Sequence, residues 1–203
     1  MSAFMNGTEL TDLELNSTPI DKAYLNGTEV FSSWKKDFEV VTWTGTSNDL
    51  IIPMNDITTG VDFFWGKSIS SGNHGLYDSL RGTTVGRLST STTEHENSGA
   101  TTNEIKTFNS NSVTVEFFAA DGTLDAPGAN YVAWCASLPN YTASNNSGSI
   151  TTTVRSNTFM SAISWTGNYI AGETIGHGLG AIPELLIVKS RSNAESWMVT
   201  TNG

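Results

Sequence analysis

The chain has 203 residues, with 10 Lys and Arg against 20 Asp and Glu, so its formal net charge is -10. This length suffices for a hydrophobic core without disulfide staples, and the single cysteine excludes an intrachain disulfide. The longest basic run is Lys35-Lys36, too short for the cationic patch that nucleic acids and anionic membranes bind. No stretch approaches 18 apolar residues, and the first ten residues lack the features of a secretory signal. We therefore expect no nucleic-acid partner, no membrane insertion, and synthesis in a cytoplasm.

Residues 1–33 contain a short internal repeat that predicts two β-hairpins. The segment FMNGTEL at 4–10 returns as YLNGTEV at 24–30, with Asn-Gly at the centre of each copy. Asn-Gly accepts the positive φ angles of a type I′ turn, and apolar residues flank it on both sides. Because an isolated hairpin is only marginally stable in water, we expect this small N-terminal module to attach to a partner.

The rest of the chain has short apolar or alternating segments separated by Gly, Asn, Ser and Pro, a pattern that predicts strands. The predicted strands are 38–44, 61–67, 113–119, 131–137, 149–154, 160–166, 184–190 and 196–201. Their β-branched and aromatic residues suit a half-buried pleated surface, which indicates an all-β fold with a β-sandwich-like repeat domain. Residues 81–112 are rich in Ser, Thr and Asn, and we expect them to make long excursions over the surface.

A second repeat has a longer period and needs no gap. Trp43-Thr44-Gly45 aligns with Trp165-Thr166-Gly167, a shift of 122 residues that places 38–81 on 160–203. This predicts a first β domain over residues 34–159 and the start of a second over 160–203.

The second of these domains is incomplete, because a β domain cannot close its sheets with about a third of its strands. We expect one of two explanations. Either the chain is the N-terminal part of a longer protein, or it borrows strands from neighbouring subunits.

Several motifs stand in the same order as in a known family. WTG at 165–167, GHGLG at 176–180 and PELLIVK at 183–189 follow one another in the second repeat. In the first repeat, LYDSLRG at 76–82 precedes YVAWC at 131–135. This series resembles the repeats of bacteriophage tail-fibre and other virion structural proteins.

The resemblance implies a non-enzymatic virion component that forms a homotrimer and docks to other virion proteins through residues 1–33. The first repeat has IPMN at 52–55 where GHGLG would fall, so the function of GHGLG cannot be required of both repeats. The function that we expect is a tail fibre or tail-associated adhesin, which can contact host-surface glycans through its Ser, Thr and Asn-rich loops. The alternatives are a capsid decoration or head-fibre protein and a polysaccharide-degrading tailspike. A tailspike would need two carboxyl groups about 5 to 9.5 Å apart in a groove.

The glycine-rich segment 176–180 superficially resembles a phosphate-binding loop. No helix pattern follows it, and Pro183 leads into a predicted strand, so we expect no nucleotide site. We expect glycines at positive φ there and a backbone partner for His177. His74 and His95 lie in other segments, and no His or Cys stands at ligand spacing, so no zinc site is predicted.

Three segments carry acidic residues that are candidates for a calcium site, for acid–base catalysis or for an ion pair. Asp121 and Asp125 lie four apart, but a closing bidentate Glu for calcium is missing, so DGTLDAPG is typical of a turn. Glu94-His95-Glu96 suggests a general acid and base, and its Ser/Thr-rich surroundings favour a solvated loop instead. For Asp78 and Arg81, we expect an ion pair that fixes a turn. No catalytic, cofactor or metal residue is predicted.

The remaining candidates are apolar or aromatic. Cys135 lies within the run YVAWC, and we expect it to be a buried hydrophobe that is not reactive. Trp34, beside Lys35-Lys36, is expected to make a contact at the junction of module and repeat. Burial in the core or in a subunit interface, with the indole N–H bonded to backbone, is expected for Trp43, Trp65, Trp134, Trp165 and Trp197.

Overall fold

The regular structure consists of β-strands, which confirms the predicted all-β fold. The computed structural model describes residues 4–5, 8–9, 14–15, 18–19, 22–25, 28–32, 37–46, 48–70, 72, 74–96, 104–117 and 124–202. Among these residues, no helix is long and apolar enough to cross a membrane. The chain divides into two compact units, Met1–Lys36 and Asp37–Gly203, which are described separately.

The described residues of the N-terminal unit form three antiparallel strand pairs, where the sequence predicts two hairpins. The pairs are β1 (Phe4–Met5) with β2 (Thr8–Glu9), β3 (Glu14–Leu15) with β4 (Thr18–Pro19), and β5 (Lys22–Leu25) with β6 (Thr28–Ser32). The first and third enclose the two Asn-Gly sequences. The middle pair was not predicted, because its strands have two residues each and no Asn-Gly lies between them.

The second unit contains thirteen described strands. They are β7 (Phe38–Thr44), β8 (Leu50–Pro53), β9 (Phe63–Ser68), β10 (His74–Asp78), β11 (Leu88–Ser89), β12 (Ile105–Phe108), β13 (Ser112–Val115), β14 (Asn130–Ala136), β15 (Asn140–Asn145), β16 (Thr152–Ser156), β17 (Ser161–Ser164), β18 (Leu185–Val188) and β19 (Met198–Thr201). They form a five-stranded sheet in the order β11-β10-β9-β14-β7 and three smaller sheets, β12-β13-β8, β15-β16-β17 and β18-β19.

The hydrophobic core lies between the five-stranded sheet and the sheet β12-β13-β8. Side chains alternate across a strand, so the odd-numbered residues of β14, such as Tyr131, Ala133 and Cys135, face inward and are 0 to 1% exposed. Ile52 and Val113 approach from the other sheet and are equally buried. This is the sandwich-like arrangement that the alternating segments predict.

Aromatic packing closes one end of this core. Trp43 of β7 stacks on Tyr131 of β14, with ring centroids 5.2 Å apart and planes 14° from parallel. The indole N–H of Trp43 donates to the backbone oxygen of Leu124 at 2.9 Å, so the half-buried ring keeps a partner for its polar atom.

Most predicted strands coincide with observed ones, and 38–44 matches β7 to the residue. The unpredicted strands of this unit are β8, β10, β11, β12 and β15. They are short or carry residues that weaken a strand pattern, such as Pro53 at the end of β8 and Gly75 within β10.

The expectation that residues 81–112 run over the surface is wrong in part. This segment contains β11 and β12, and it also contains Arg87 and Glu104, which are 5% and 2% exposed. The two buried charges form an ion pair of 3.2 Å, a long-range partnership that composition does not indicate.

The long repeat is visible in the strands. A shift of 122 residues places β7 on β17, β9 on β18 and β10 on β19. Among the described strands, β9 pairs with both β10 and β14, whereas β18 pairs with β19 alone. The division into compact units does not separate 160–203 from the preceding repeat, so the predicted bounds of 34–159 and 160–203 stay predictions.

Glu39 of β7 holds the turn that follows β8. Its carboxylate accepts hydrogen bonds from the backbone N–H groups of Asn55 at 2.9 Å, Asp56 at 2.9 Å and Ile57 at 3.3 Å. Burial by itself would raise the pKa of Glu39, but these hydrogen bonds outweigh burial and hold the pKa below its ordinary value of 4.5.

We predict that Glu39→Gln lowers the free energy of unfolding at neutral pH by about 1 to 3 kcal/mol, because the backbone donors lose a charged acceptor. The contribution of Glu39 is present above pH 4.5 and is lost as the pH falls from there through the lower pKa of the folded protein. Urea unfolding at a series of pH values measures it. The difference between wild type and variant should shrink on acidification, and a constant difference would contradict the assignment. Glu184→Gln, at an exposed position, is the matched control.

Candidate functional site

The histidines do not assemble a site. His177 accepts a hydrogen bond at Nδ1 from the N–H of Leu179 at 3.1 Å, which confirms the expected backbone partner. Gly178 has a φ of 72°, and a Cβ there would lie 2.7 Å from Val154, so the residue must be glycine. His74 begins β10, and its pKa is lowered by burial and by the charge of Lys67. In the part of the chain that the structure describes, no three His, Cys, Asp or Glu residues could hold a metal ion together.

Asp125 serves the fold. Its Oδ1 accepts a hydrogen bond from the N–H of Thr46 at 2.6 Å, which fixes the chain after β7. Burial raises the pKa of Asp125, and the charge of Asp49 adds to this effect against the opposing hydrogen bond from Thr46. The other member of the predicted pair, Asp121, lies outside the described residues.

A buried ionic cluster joins the two repeats. Arg81 pairs with Asp78 at 2.6 Å, which confirms the predicted ion pair, and also with Glu96 at 2.8 Å. Glu96 accepts two further hydrogen bonds from the guanidinium of Arg191, at 2.9 and 2.8 Å, and its backbone N–H donates to the carbonyl of Arg191. The segment before residue 97 is thereby held against the end of β18.

The expectation that Glu94-His95-Glu96 is a solvated loop is wrong for Glu96, whose side chain is 9% exposed. Burial by itself would raise the pKa of Glu96, but the two arginines outweigh burial and lower it. Arg81 and Arg191 lie 15 and 95 residues away, so no local sequence signal indicates this role.

A second buried cluster anchors the same segment to the five-stranded sheet. The hydroxyl of Tyr77 donates to Glu104, which also pairs with Arg87. Burial and the charge of Glu104 raise the pKa of Tyr77 well above its ordinary value, so the phenol keeps its proton. Both clusters are closed by partners within the chain and act as structural supports.

Cys135 and most tryptophans are structural. Cys135 is fully buried, and burial with the nearby charge of Glu39 raises the pKa of its thiol, which makes it a poor nucleophile. Trp43, Trp65 and Trp197 donate their indole N–H groups to Leu124 O, Thr90 Oγ1 and Ser89 O. Backbone partners were expected, and Trp65 has a side-chain partner instead.

The other two predicted core tryptophans differ from each other. Trp134 is half-buried and lies 5.5 Å from Trp65, ring centroid to centroid. Trp165 is 36% exposed in the single chain and is not in the core. Trp34 lies outside the described residues.

The feature that stands out is apolar surface on the second repeat. In β18 and β19, Leu185, Ile187, Met198 and Val199 are 48 to 71% exposed. In the first repeat, Phe64 of the equivalent strand β9 is fully buried. We call the exposed residues of β18 and β19 the second-repeat apolar surface. Leu185, Ile187 and Val199 share one face of this strand pair, and Met198 lies on the other face. Isolated exposed apolar residues are normal, but neighbouring ones on one face indicate an interaction site.

The first repeat also has an open side. Val40 of β7 and Ile51 of β8 are 51% and 65% exposed, and they line a groove of about 350 Å³ between the two edge strands. We call the edges of β7 and β8 the open edge. The chain can therefore offer backbone hydrogen bonds and apolar side chains to other chains at two places.

A protein-family model described as Domain of unknown function (DUF7483) matches residues 33–203. No curated protein and no solved structure matches the chain.

We predict that Glu96→Ala lowers the free energy of unfolding by about 3 kcal/mol, because it removes a partner from the buried Arg81. Arg191→Ala should cost only about 0.2 to 1 kcal/mol, since that side chain is 40% exposed. Urea denaturation of both variants measures the difference, with Glu94→Ala as the exposed control. Equal costs for Glu96→Ala and Arg191→Ala would contradict the structural role of the cluster.

Proposed function

The chain belongs to the family described as Domain of unknown function (DUF7483), and we propose that it is a structural protein of a bacteriophage virion, a tail fibre or tail-associated adhesin component. In this proposal, residues 1–33 attach the protein to the particle and the repeats project from it. Copies of the chain assemble as a homotrimer, and the protein acts by binding and not by catalysis.

The observation that carries the proposal is the unfilled surface of a repeated β unit. The second-repeat apolar surface and the open edge present apolar side chains and strand edges, groups that assembly commonly covers. The ordered motifs LYDSLRG and YVAWC in the first repeat, and GHGLG and PELLIVK in the second, support the choice of a phage virion.

The composition of the N-terminal unit supports its role as the attachment module. Residues 1–33 carry five acidic residues and one basic residue, whereas the family model begins at residue 33. The described strands of this segment form small pairs, and such pairs gain stability by docking to another protein.

The open edge supports self-association. The edge of β17 that corresponds to the free edge of β7 is covered by β16 of the same chain. By analogy with β17, we expect a strand to pair with the outer edge of β7. We assign this pairing strand to a second copy of the chain.

Labelling of virions with a gold-conjugated antibody against the chain tests the virion assignment. We expect label on the tail, and loss of the label from particles whose protein lacks residues 1–33. Label on the head would contradict the tail assignment and would indicate a head-fibre or capsid decoration protein. Particles without label would contradict a virion function altogether.

Sedimentation equilibrium tests the homotrimer. We predict a trimer at micromolar concentration, and its conversion to monomers by the double substitution Val40→Lys and Ile51→Lys, which places charges in the open edge. Ile170→Lys with Ile182→Lys adds the same charge at exposed apolar positions elsewhere and should leave the trimer intact. A monomeric wild-type chain, or equal effects of the two double variants, would contradict the proposed contact.

A further inference from the structure

Among the described strands, only β16 pairs with β17, along one of its edges. In an antiparallel pair, successive residues direct their N–H and C=O groups to alternate edges of the strand. The carbonyl of Met160 accepts a hydrogen bond from the N–H of Asn157, so even-numbered positions face β16. Ser161 and Ile163 therefore face the other edge, where no described strand pairs with β17.

The strand β18 has the same property. The N–H of Asn202 donates to the carbonyl of Glu184, which places even-numbered positions toward β19. Leu185 and Ile187 face the opposite edge. No strand in the described part of the chain pairs with that edge either.

In the first repeat, a single strand fills both of the corresponding edges. The N–H of Ser137 donates to the carbonyl of Asp37, so odd-numbered positions of β7 face β14. On the other side of β14, the N–H of Ile69 at the end of β9 donates to the carbonyl of Asn130. The shift of 122 preserves odd and even, so the edges of β17 and β18 that no described strand pairs with correspond to the two edges that β14 occupies.

We infer that the free edges of β17 and β18 form a slot for one extended strand, which we call the strand slot, and that its occupant is a β14-like strand supplied by a partner polypeptide of the same repeat type. The strand enters antiparallel to both β17 and β18. It completes a sheet in the order β16-β17-occupant-β18-β19, by the mode of recognition in which a peptide adds a strand to a sheet edge.

The chemistry of the slot favours such an occupant. The strands that border it, SAIS at 161–164 and LLIV at 185–188, carry no charged residue, and neither does NYVAWCA at 130–136. A charged side chain on the occupant would lose its hydration in the slot without gaining an oppositely charged partner on the border strands. In the first repeat, Trp65 packs against Trp134 of β14. Ile187 corresponds to Trp65, so the occupant gains most from a large apolar or aromatic residue opposite Ile187.

A side chain beyond the slot links its two borders. Arg191, which follows β18, donates from its guanidinium to Ser164 Oγ at 3.2 Å, at the end of β17. The ends of the two border strands thus lie within reach of one arginine. The carbonyl of Arg191 is already taken by the N–H of Glu96, at the position where Ile69 meets Asn130 in the first repeat. The edge of the chain that borders the slot therefore already accepts a backbone hydrogen bond at Arg191, just after β18.

The occupant is not β14 of a second copy. In this chain β14 pairs along its whole length with both β7 and β9. Its transfer to the strand slot of another copy would leave β7 and β9 unpaired in exchange for pairing with β17 and β18. A partner whose β14-like strand is not flanked by strands equivalent to β7 and β9 carries no such cost. The inference does not depend on the virion assignment, since it concerns the kind of strand that fits.

A chain extended by its own repeat tests the slot. Residues 82–159 are appended after Gly203, which aligns with Arg81, so that a second β14 sequence follows residues 160–203 at the spacing that it has in the first repeat. We expect the backbone amides of Ser161, Ile163, Leu185 and Ile187 to exchange on the order of 100-fold more slowly than in the 203-residue chain. Hydrogen exchange followed by NMR measures each amide. The amides of Tyr131 and Ala133 report in parallel that the first repeat is folded.

The matched control carries proline at the appended copies of Ala133 and Trp134, which face the two edges of the slot. Proline donates no hydrogen bond to a ladder, so protection of the four amides should disappear. Protection that survives the prolines, or no protection in the extended chain, would overturn the inference. Concentration-dependent protection in the unextended chain would also overturn it, because a second copy would then fill the slot.

A synthetic peptide provides a second measurement that does not rely on folding of the extension. The peptide comprises residues 127–139 with Cys135→Ser and is added to the 203-residue chain. We expect saturable protection of the same four amides, and no protection by a peptide of the same composition in scrambled order. Equal protection by both peptides, or by neither, would contradict a strand-specific slot.

Discussion

The pairing of β14 along both of its edges is the constraint on which the rest of the structure depends. A buried backbone must satisfy its hydrogen-bonding groups, and β14 can lie in the middle of the sheet only because β7 and β9 flank it. Its inward residues then meet the sheet β12-β13-β8 and build the core. At its end, the N–H of Leu138 donates to Asp62 and the carbonyl of Ser137 accepts from Asn157, so β14 also fixes the next connection.

Buried charges perform a different task, which is to position a polar segment. Residues 90–96 have no apolar side chain to bury, and the ion pair of Arg81 with Glu96 fixes them against Arg191 instead. A buried ion pair adds little net stability, because desolvation offsets most of the attraction, but an unpaired charge is costly. The clusters therefore select one arrangement of the segment more than they stabilise the fold as a whole.

The sequence was sufficient to predict the fold class and the strands whose apolar residues alternate, such as β7 and β14. Burial of every second residue gives a pattern that is visible in the local sequence. The sequence was insufficient for β15, whose residues are almost all exposed, and for the middle N-terminal strand pair, β3 with β4. The role of Glu96 was also missed, since its partners are set by tertiary structure. The sequence did not locate the candidate site. The repeat shift aligns β17 and β18 with β7 and β9, but the location of their edges without a described partner strand follows from the direction of individual hydrogen bonds.

Differences among the exposed edges show which of them suit a partner. Natural sheets protect free edges with lysine, proline or a bulge, and the edge strand β12 carries Lys106 together with an irregular register. The polar strand β15 also contains such an irregularity. In contrast, the borders of the strand slot contain no charge, no proline and an unbroken register with their neighbours. An edge of this kind that stayed bare would invite unspecific pairing. The lack of protective residues at the strand slot therefore agrees with the proposed pairing of another strand there.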